Sequence, residues 1–178
     1  MIDARIEELG NKGMITPFFS ECVQPCSYDV HLGEKVKVET EFGMEVGSLS
    51  DYDAKDPYFM PPGTFMLAET VEWLAIPNNV EAHLHLVSSR AREGLNHLFS
   101  GLVDCGYQGR LTLELKNSLQ YGHIALYPNL RIGQLTFFEY TQDACLPYRG
   151  RYFRDKHVTS ARGGQDLLPT PGSQDFSN

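Results

Sequence analysis

The chain has 178 residues, 42% of them hydrophobic and 21% charged, with a formal net charge of −8. That length suits one domain with a real core and is short for two, and the composition is that of globular protein rather than disorder. The acidic balance argues against nucleic acid or a membrane surface as partner, while a small anionic substrate needs only a few local cations.

No apolar run approaches the roughly eighteen residues of a membrane span. The opening, Met1 to Leu9, reads as a short amphipathic helix and not a secretory signal, which predicts a cytoplasmic protein. Gly10 to Gly13 ends that helix, and Pro17 starts an extended path. Ser27–Gly33 and Lys35–Glu39 predict two strands around a Gly33-Glu34 turn. Residues 46–60 are acidic and irregular and read as a loop. Pro61-Pro62-Gly63 leads into a strand over Thr64–Val71, and Trp73–Ile76 ends at the turn Pro77-Asn78-Asn79. Val80 to Val87 alternates, and Ser88 to Gly94 then predicts one helical turn, with serines where unpaired N–H groups are available. Further strands are predicted over Leu95–Phe99, Gly109–Leu115, His123–Tyr127 and Arg131–Tyr140. Strands at such spacing, with little helix between them, argue an all-β barrel or sandwich. The expected organisation is a single domain over residues 1–162 and a flexible Gly-, Pro-, Ser- and Gln-rich tail over 163–178.

The four cysteines, Cys22, Cys26, Cys105 and Cys145, read as reduced rather than paired. Cys22 and Cys26 lie four apart, but no second pair at metal spacing follows. His83 and His85 would share a strand face with Glu81, although strand-face histidines are more often solvent-facing or hydrogen-bonded than metal ligands. The zinc-deaminase signature, His-x-Glu followed by Pro-Cys-x-x-Cys, is absent, so no zinc and no protein-held metal is expected.

The stretch from Leu102 to Asn117 concentrates the chemistry. Leu111, Leu113 and Leu115 alternate with Thr112, Glu114 and Lys116, the period of a strand with one apolar face, so Glu114 points away from the leucines. Before it, Asp104-Cys-Gly-Tyr-Gln-Gly109 has the composition of a turn that lets backbone approach a ligand. Two acids thus flank one hairpin-like feature. Pattern alone also allows Glu114 and Lys116 to be a solvated face, Asp104 to bond its own turn, Ser88 to act as a cap, and Tyr107 to be core packing.

Six segments in order resemble the dCTP deaminase and dUTPase superfamily, closest to the deaminase branch. They are Ser27–Gly33, Pro62-Gly63 before a strand, Ser88-Ser-Arg-Ala-Arg92, Val103–Gly109, Leu113-Glu-Leu-Lys-Asn117 and Leu126–Leu135, covering about residues 15 to 162. The resemblance implies a distorted β-barrel with short helices that forms a homotrimer with interfacial active sites. It also implies a C-terminal lid over residues 148–162 and a deoxycytidine nucleotide substrate accompanied by Mg²⁺. The Asp before Gly-Tyr, here Asp104, would contact the deoxyribose 3′-hydroxyl, with Tyr107 walling the sugar. The Glu inside the following strand belongs to the deaminase branch, which points to dCTP going to dUTP and ammonia.

Chemistry gives Glu114 the same part. Without zinc, something must take a proton from water attacking cytosine C4 and return protons to N3 and the leaving amine, and one carboxylate with a raised pKa can do both. Ser88 would hold the water, and Arg92 would position the network or neutralise developing negative charge. Substrate contacts are expected from Ser89, Arg90, Asp104, Tyr107, Thr112, Leu113, Tyr148, Arg151, Tyr152 and Asp155. Lys116, on the same face, would oppose a raised Glu114 pKa if it came close. Two positions depart from the family: Val87 stands where an Arg usually meets the phosphates, and Asp155 where a Gln is usual. The sequence also admits a bifunctional enzyme continuing to dUMP and pyrophosphate, a plain dUTPase, a dCMP-level deaminase, and an inactive nucleotide-binding regulator.

Overall fold

A computed structural model describes residues 1–97 and 101–162, so the predicted tail over 163–178 lies outside the described residues. The chain opens with α1 (Asp3–Leu9), whose Ile6 and Leu9 face the core. The strands are β1 (Ile15–Thr16), β2 (Val23–Gln24), β3 (Ser27–Thr40), β4 (Gly43–Ser48), β5 (Tyr58–Met60) and β6 (Phe65–Ala75). After β7 (Val80–Leu86) comes the one-turn helix α2 (Ser88–Arg92). The chain continues with β8 (Leu95–His97), β9 (Leu102–Val103), β10 (Gln108–Asn117), β11 (Ile124–Leu126) and β12 (Arg131–Glu139).

Most strands join one sheet in the order β8-β10-β6-β3-β12-β7-β9, with β1 on β6 and both β2 and β4 on β3. The two outermost strands are nearly consecutive in the chain, since β8 ends at His97 and β9 begins at Leu102. The sheet is curled into a half-barrel, which brings its two edge strands to the same side. The expectation of an all-β distorted barrel with short helices therefore holds. Tyr28, Leu32, Met66, Leu74, Leu113, Leu115, Leu135 and Phe137 fill its interior. Each such side chain contributes about 1.5–3 kcal/mol of burial.

Three local expectations differ from what forms. The predicted pair of strands around Gly33 is a single fourteen-residue strand, β3, with only a register shift between Leu32 and Val36. At this shift β3 leaves β12, which it pairs through Tyr28 to His31, and takes up β6 through Leu32 to Val38. Likewise Thr64–Val71 and Trp73–Ile76 merge into β6, because pairing with β10 and β3 holds the whole length extended. The loop predicted over 46–60 contains the end of β4 and all of β5. Part of the predicted Leu95–Phe99 strand forms as β8, and its last two residues lie outside the described residues. All four cysteines are free thiols. No helix among the described residues is long and apolar enough to cross a membrane.

Candidate active site

Strand β10 supplies the site as its alternation requires. Leu111, Leu113 and Leu115 are buried in the core, while Arg110, Thr112 and Glu114 look into a cavity of about 590 Å³. That volume is in the range of small-molecule sites. The turn before β10 adds Asp104 and Tyr107, and the arm over residues 148–162 adds Tyr148, Tyr152, Asp155, Thr159, Ser160 and Ala161. The cavity thus has one wall of sheet and one of arm.

Glu114 is half-buried and has no hydrogen-bonding or ion-pair partner among the described residues. Burial holds its carboxyl above the usual carboxylate range. Lys116, two positions on, is exposed and lies outside the cavity, so it does not offset that effect. Asp104 is exposed on the cavity rim, and its turn is closed by backbone alone, Tyr107 N–H to Asp104 O at 3.1 Å. Its carboxylate is therefore not spent on its own turn. Tyr107 serves both core and cavity: its hydroxyl donates to Arg110 O at 2.8 Å, and its ring sits 5.7 Å from that of Tyr148. Burial, reinforced by Asp155 and then Tyr148, keeps that hydroxyl protonated well beyond its ordinary range.

The arm is seated by backbone contacts. Asp155 bridges to Gly109 in parallel, Arg110 N–H donates to Asp155 O at 2.9 Å, and Arg154 N–H donates to Gln108 O at 2.6 Å. Gly109 has φ +149°, and a Cβ there would lie 2.9 Å from the Tyr107 hydroxyl, so this close seat needs glycine. Asp155 pairs through Oδ1 with Arg162 at 2.6 Å, while its Oδ2 is buried without a partner. Thr112 Oγ1 is occupied, accepting the Thr159 N–H at 3.3 Å.

Within one chain the cavity brings together Glu114, Asp104, Tyr107, Thr112, Tyr148, Tyr152 and Asp155, and leaves out the other expected site residues. The Leu113 side chain is 2% exposed and faces the core, which leaves only its backbone for a ligand. Arg151 lies on the arm outside the cavity, with Nη1 donating to Arg162 O at 3.0 Å. Ser88, Ser89 and Arg92 are exposed on α2, away from the cavity, and neither serine caps the helix. Arg90 pairs with Glu93 at 2.6 Å. Sequence reasoning missed Arg110, the one cationic side chain lining the cavity among the described residues, whose Nη1 donates to Thr70 O at 2.8 Å and to Val71 O. The signal was present, because Arg110 shares the alternation of Thr112 and Glu114.

His83 and His85 stack with ring centroids 6.5 Å apart, and His83 Nε2 stands 3.3 Å from Glu81. Among the described residues no group of three or more His, Cys, Asp or Glu is arranged to hold a metal ion.

A family model described as dCTP deaminase-like matches residues 1–140. A Nanoarchaeum equitans protein named "dCTP deaminase, dUMP-forming" is 30% identical, with 93% of this chain and 98% of that protein aligned. A Thermobifida fusca protein of the same name is 35% identical over 75% of this chain and 74% of its own. Among solved structures, the 2′-deoxycytidine 5′-triphosphate deaminase of Agrobacterium tumefaciens superposes with a TM-score of 0.64 at 20% identity, covering 77% of this chain. This chain spans about half of that one (47%), and the likeness concerns the fold.

Proposed function

The chain belongs to the dCTP deaminase-like family, and from that premise we propose that it deaminates dCTP without zinc and carries the product on to dUMP and pyrophosphate. The observation that carries the reading is Glu114: a carboxylate on a cavity wall, free of partners among the described residues, its proton affinity raised by burial. The dUMP-forming names of the aligned relatives favour the two-step outcome over release of dUTP.

In the first step Glu114 takes a proton from water as its oxygen bonds to cytosine C4, and N3 is protonated. Glu114, having passed the first proton to N3, then carries the proton of the new C4 hydroxyl to the 4-amino group; the C4–N bond breaks as the C4 carbonyl forms, so dCTP and water give dUTP and ammonia. A carboxylate whose pKa is drawn upward is suited to both transfers. In the second step water attacks the α-phosphorus and pyrophosphate leaves; Asp104, at the rim, holds the sugar and orients that water. Tyr107 and Tyr148 wall the deoxyribose, and Tyr152, Asp155 and the Thr112–Thr159 contact close the arm over it. Leu113 contributes through its backbone.

Charge decides what the cavity still needs. Among the described residues three carboxylates, Asp104, Glu114 and Asp155, line the cavity with the guanidinium of Arg110, Asp155 being paired with Arg162, and a triphosphate adds further negative charge. Mg²⁺ carried on the phosphates fits this acidic lining, with Asp104 and Asp155 the oxygen groups that would face its water shell. Further cations come from Arg151 if it turns inward, and from α2 of another copy. Ser88, Ser89, Arg90 and Arg92 are on a helix that does not reach this chain's own cavity, which is what a homotrimer with interfacial sites requires. There Ser88 holds the attacking water, and Arg92 positions the network or neutralises the negative charge that develops in the reaction.

Purified protein with dCTP and Mg²⁺, followed by ammonia assay and chromatography of nucleotides, tests this. The expected products are ammonia, dUMP and pyrophosphate in equal amounts. Accumulating dUTP reduces the proposal to its first step, consumption of dUTP but not dCTP makes the protein a dUTPase, and binding without turnover of either refutes the enzyme reading.

A further inference from the structure

The arm crosses three adjacent strands, and one of its anchors differs in kind from the rest. Glu69 on β6 is only 5% exposed, and a carboxylate so deeply placed is costly unless partners meet it. Its partners both lie in the arm: Oε2 accepts the Val158 N–H at 3.0 Å and stands 3.4 Å from His157 Nδ1. Among the described residues no group of the sheet itself hydrogen-bonds to this side chain. Room for it is made by Gly33 on β3, where an added Cβ would lie 2.7 Å from Glu69 Cγ. The next arm residue is taken by the cross-strand neighbour of Glu69, since Thr112 pairs with Glu69 in register and accepts the Thr159 N–H. Lys37 on β3 donates to Ser160 Oγ at 2.9 Å. In sequence the anchor sits between two groups of cavity-lining residues, Tyr152 and Asp155 before it and Thr159 to Ala161 after it.

Resting on the functional reading above, we propose that Glu69 is a positioning residue whose buried carboxylate fastens residues 157–159 to the sheet, so that the arm closes the cavity over a bound nucleotide. Lifting the arm strips the carboxylate of both partners at once, and seating it restores them. The side chain therefore favours the closed arm without touching the ligand. A nucleotide that is held by the closed form gains apparent affinity in proportion to the closed fraction. Glu114 lies on a different strand and reacts independently of this contact, so the effect falls on binding rather than on the chemical step.

Glu69→Met removes both arm contacts at similar volume, and Glu69→Gln keeps an acceptor for the Val158 N–H. Val158→Pro deletes the donor from the arm side and leaves the sheet untouched. Each full-length variant is assayed for KM and kcat with dCTP and Mg²⁺, and for the rate of tryptic cleavage at Arg151, Arg154 and Lys156. With Met or Pro, KM is expected to rise about tenfold, the size of one charge-assisted hydrogen bond, with kcat within about threefold and faster arm cleavage. The Gln variant, which keeps an acceptor for the Val158 N–H but loses the charge, should fall between the parent and the Met variant in both readouts. Unchanged KM and unchanged cleavage in the Met variant overturn the proposal, as does a fall in kcat at constant KM. Should the Met variant fail to fold, Val158→Pro decides by the same criteria. The cleavage rates need no turnover, so a parent protein inert towards dCTP sinks the functional reading while they still judge the anchor.

Discussion

Replacing Glu114 by Gln keeps the shape of the side chain and removes its ability to carry protons. Positioned acid–base groups contribute about 10²–10⁴ in rate, and here one carboxylate serves both directions of transfer. The loss should lie near the upper end, about 10⁴-fold in kcat, or roughly 5.5 kcal/mol at 1.36 kcal/mol per decade. Leu113 and Leu115 keep β10 seated, so dCTP binding should change by less than about threefold. Stability should move the other way. Because burial raises the Glu114 pKa, the folded state holds that proton to higher pH than the unfolded state does. Wild-type protein therefore loses stability as pH rises from the ordinary carboxylate value through the raised one, and the Gln variant does not. Thermal melts should show the variant level with the parent at low pH and equal or above it at neutral pH. Ammonia release, isothermal titration with dCTP and melts at several pH values measure all three effects. Ammonia release within tenfold of the parent, or a variant less stable at neutral than at acidic pH relative to the parent, would refute the reasoning.

If α2 serves a neighbouring copy, mixing Glu114→Gln with Arg92→Ala chains and reassembling them should restore activity at about a quarter of the sites, as random pairing in a trimer gives. No recovery in the ammonia assay would place Arg92 in its own chain's site or outside the site. Asn117→Ala should cost about 2–4 kcal/mol, a fall in melting temperature of roughly 5–15 °C. Its buried side chain donates to Met60 O and Gly122 O at 2.9 Å each and accepts the Leu119 N–H at 2.9 Å. Gly109→Ala should raise KM for dCTP and quicken proteolysis of the arm, since the new Cβ meets the Tyr107 hydroxyl and Asp155 O; unaltered kinetics would show that the arm can seat elsewhere. Arg110→Met should weaken binding of dCTP more than of deoxycytidine if its guanidinium answers phosphate charge, a comparison that titration settles.

The parts of the site carried on one regular strand were legible in the sequence. Alternation alone put Glu114 opposite Leu113 and Leu115, and the barrel follows from short strands separated by turn residues. Less legible was anything that depends on what lies across the sheet. Gly33 looks like a turn residue in sequence, yet it is a strand residue without a Cβ because Glu69 needs the space. Glu69 itself reads as an ordinary polar position in a strand, since the arm that gives it partners lies 89 residues on. Arg110 was overlooked because an arginine beside a turn reads as a solvent-facing charge until two backbone carbonyls of β6 are seen to hold it. Ser88, Ser89 and Arg92 are exposed in the single chain and line no part of its cavity, so nothing along their own strand or turn marks them out.

Strand β3 has a consequence for how the molecule comes apart. It is the seam between β12 on one stretch and β6 on the next, with β4 along its far end. Amide protons on either half of the sheet can be released together only if this shared backbone lets go, so its central N–H groups should be among the last to exchange with deuterium. The two halves should accordingly melt in one transition.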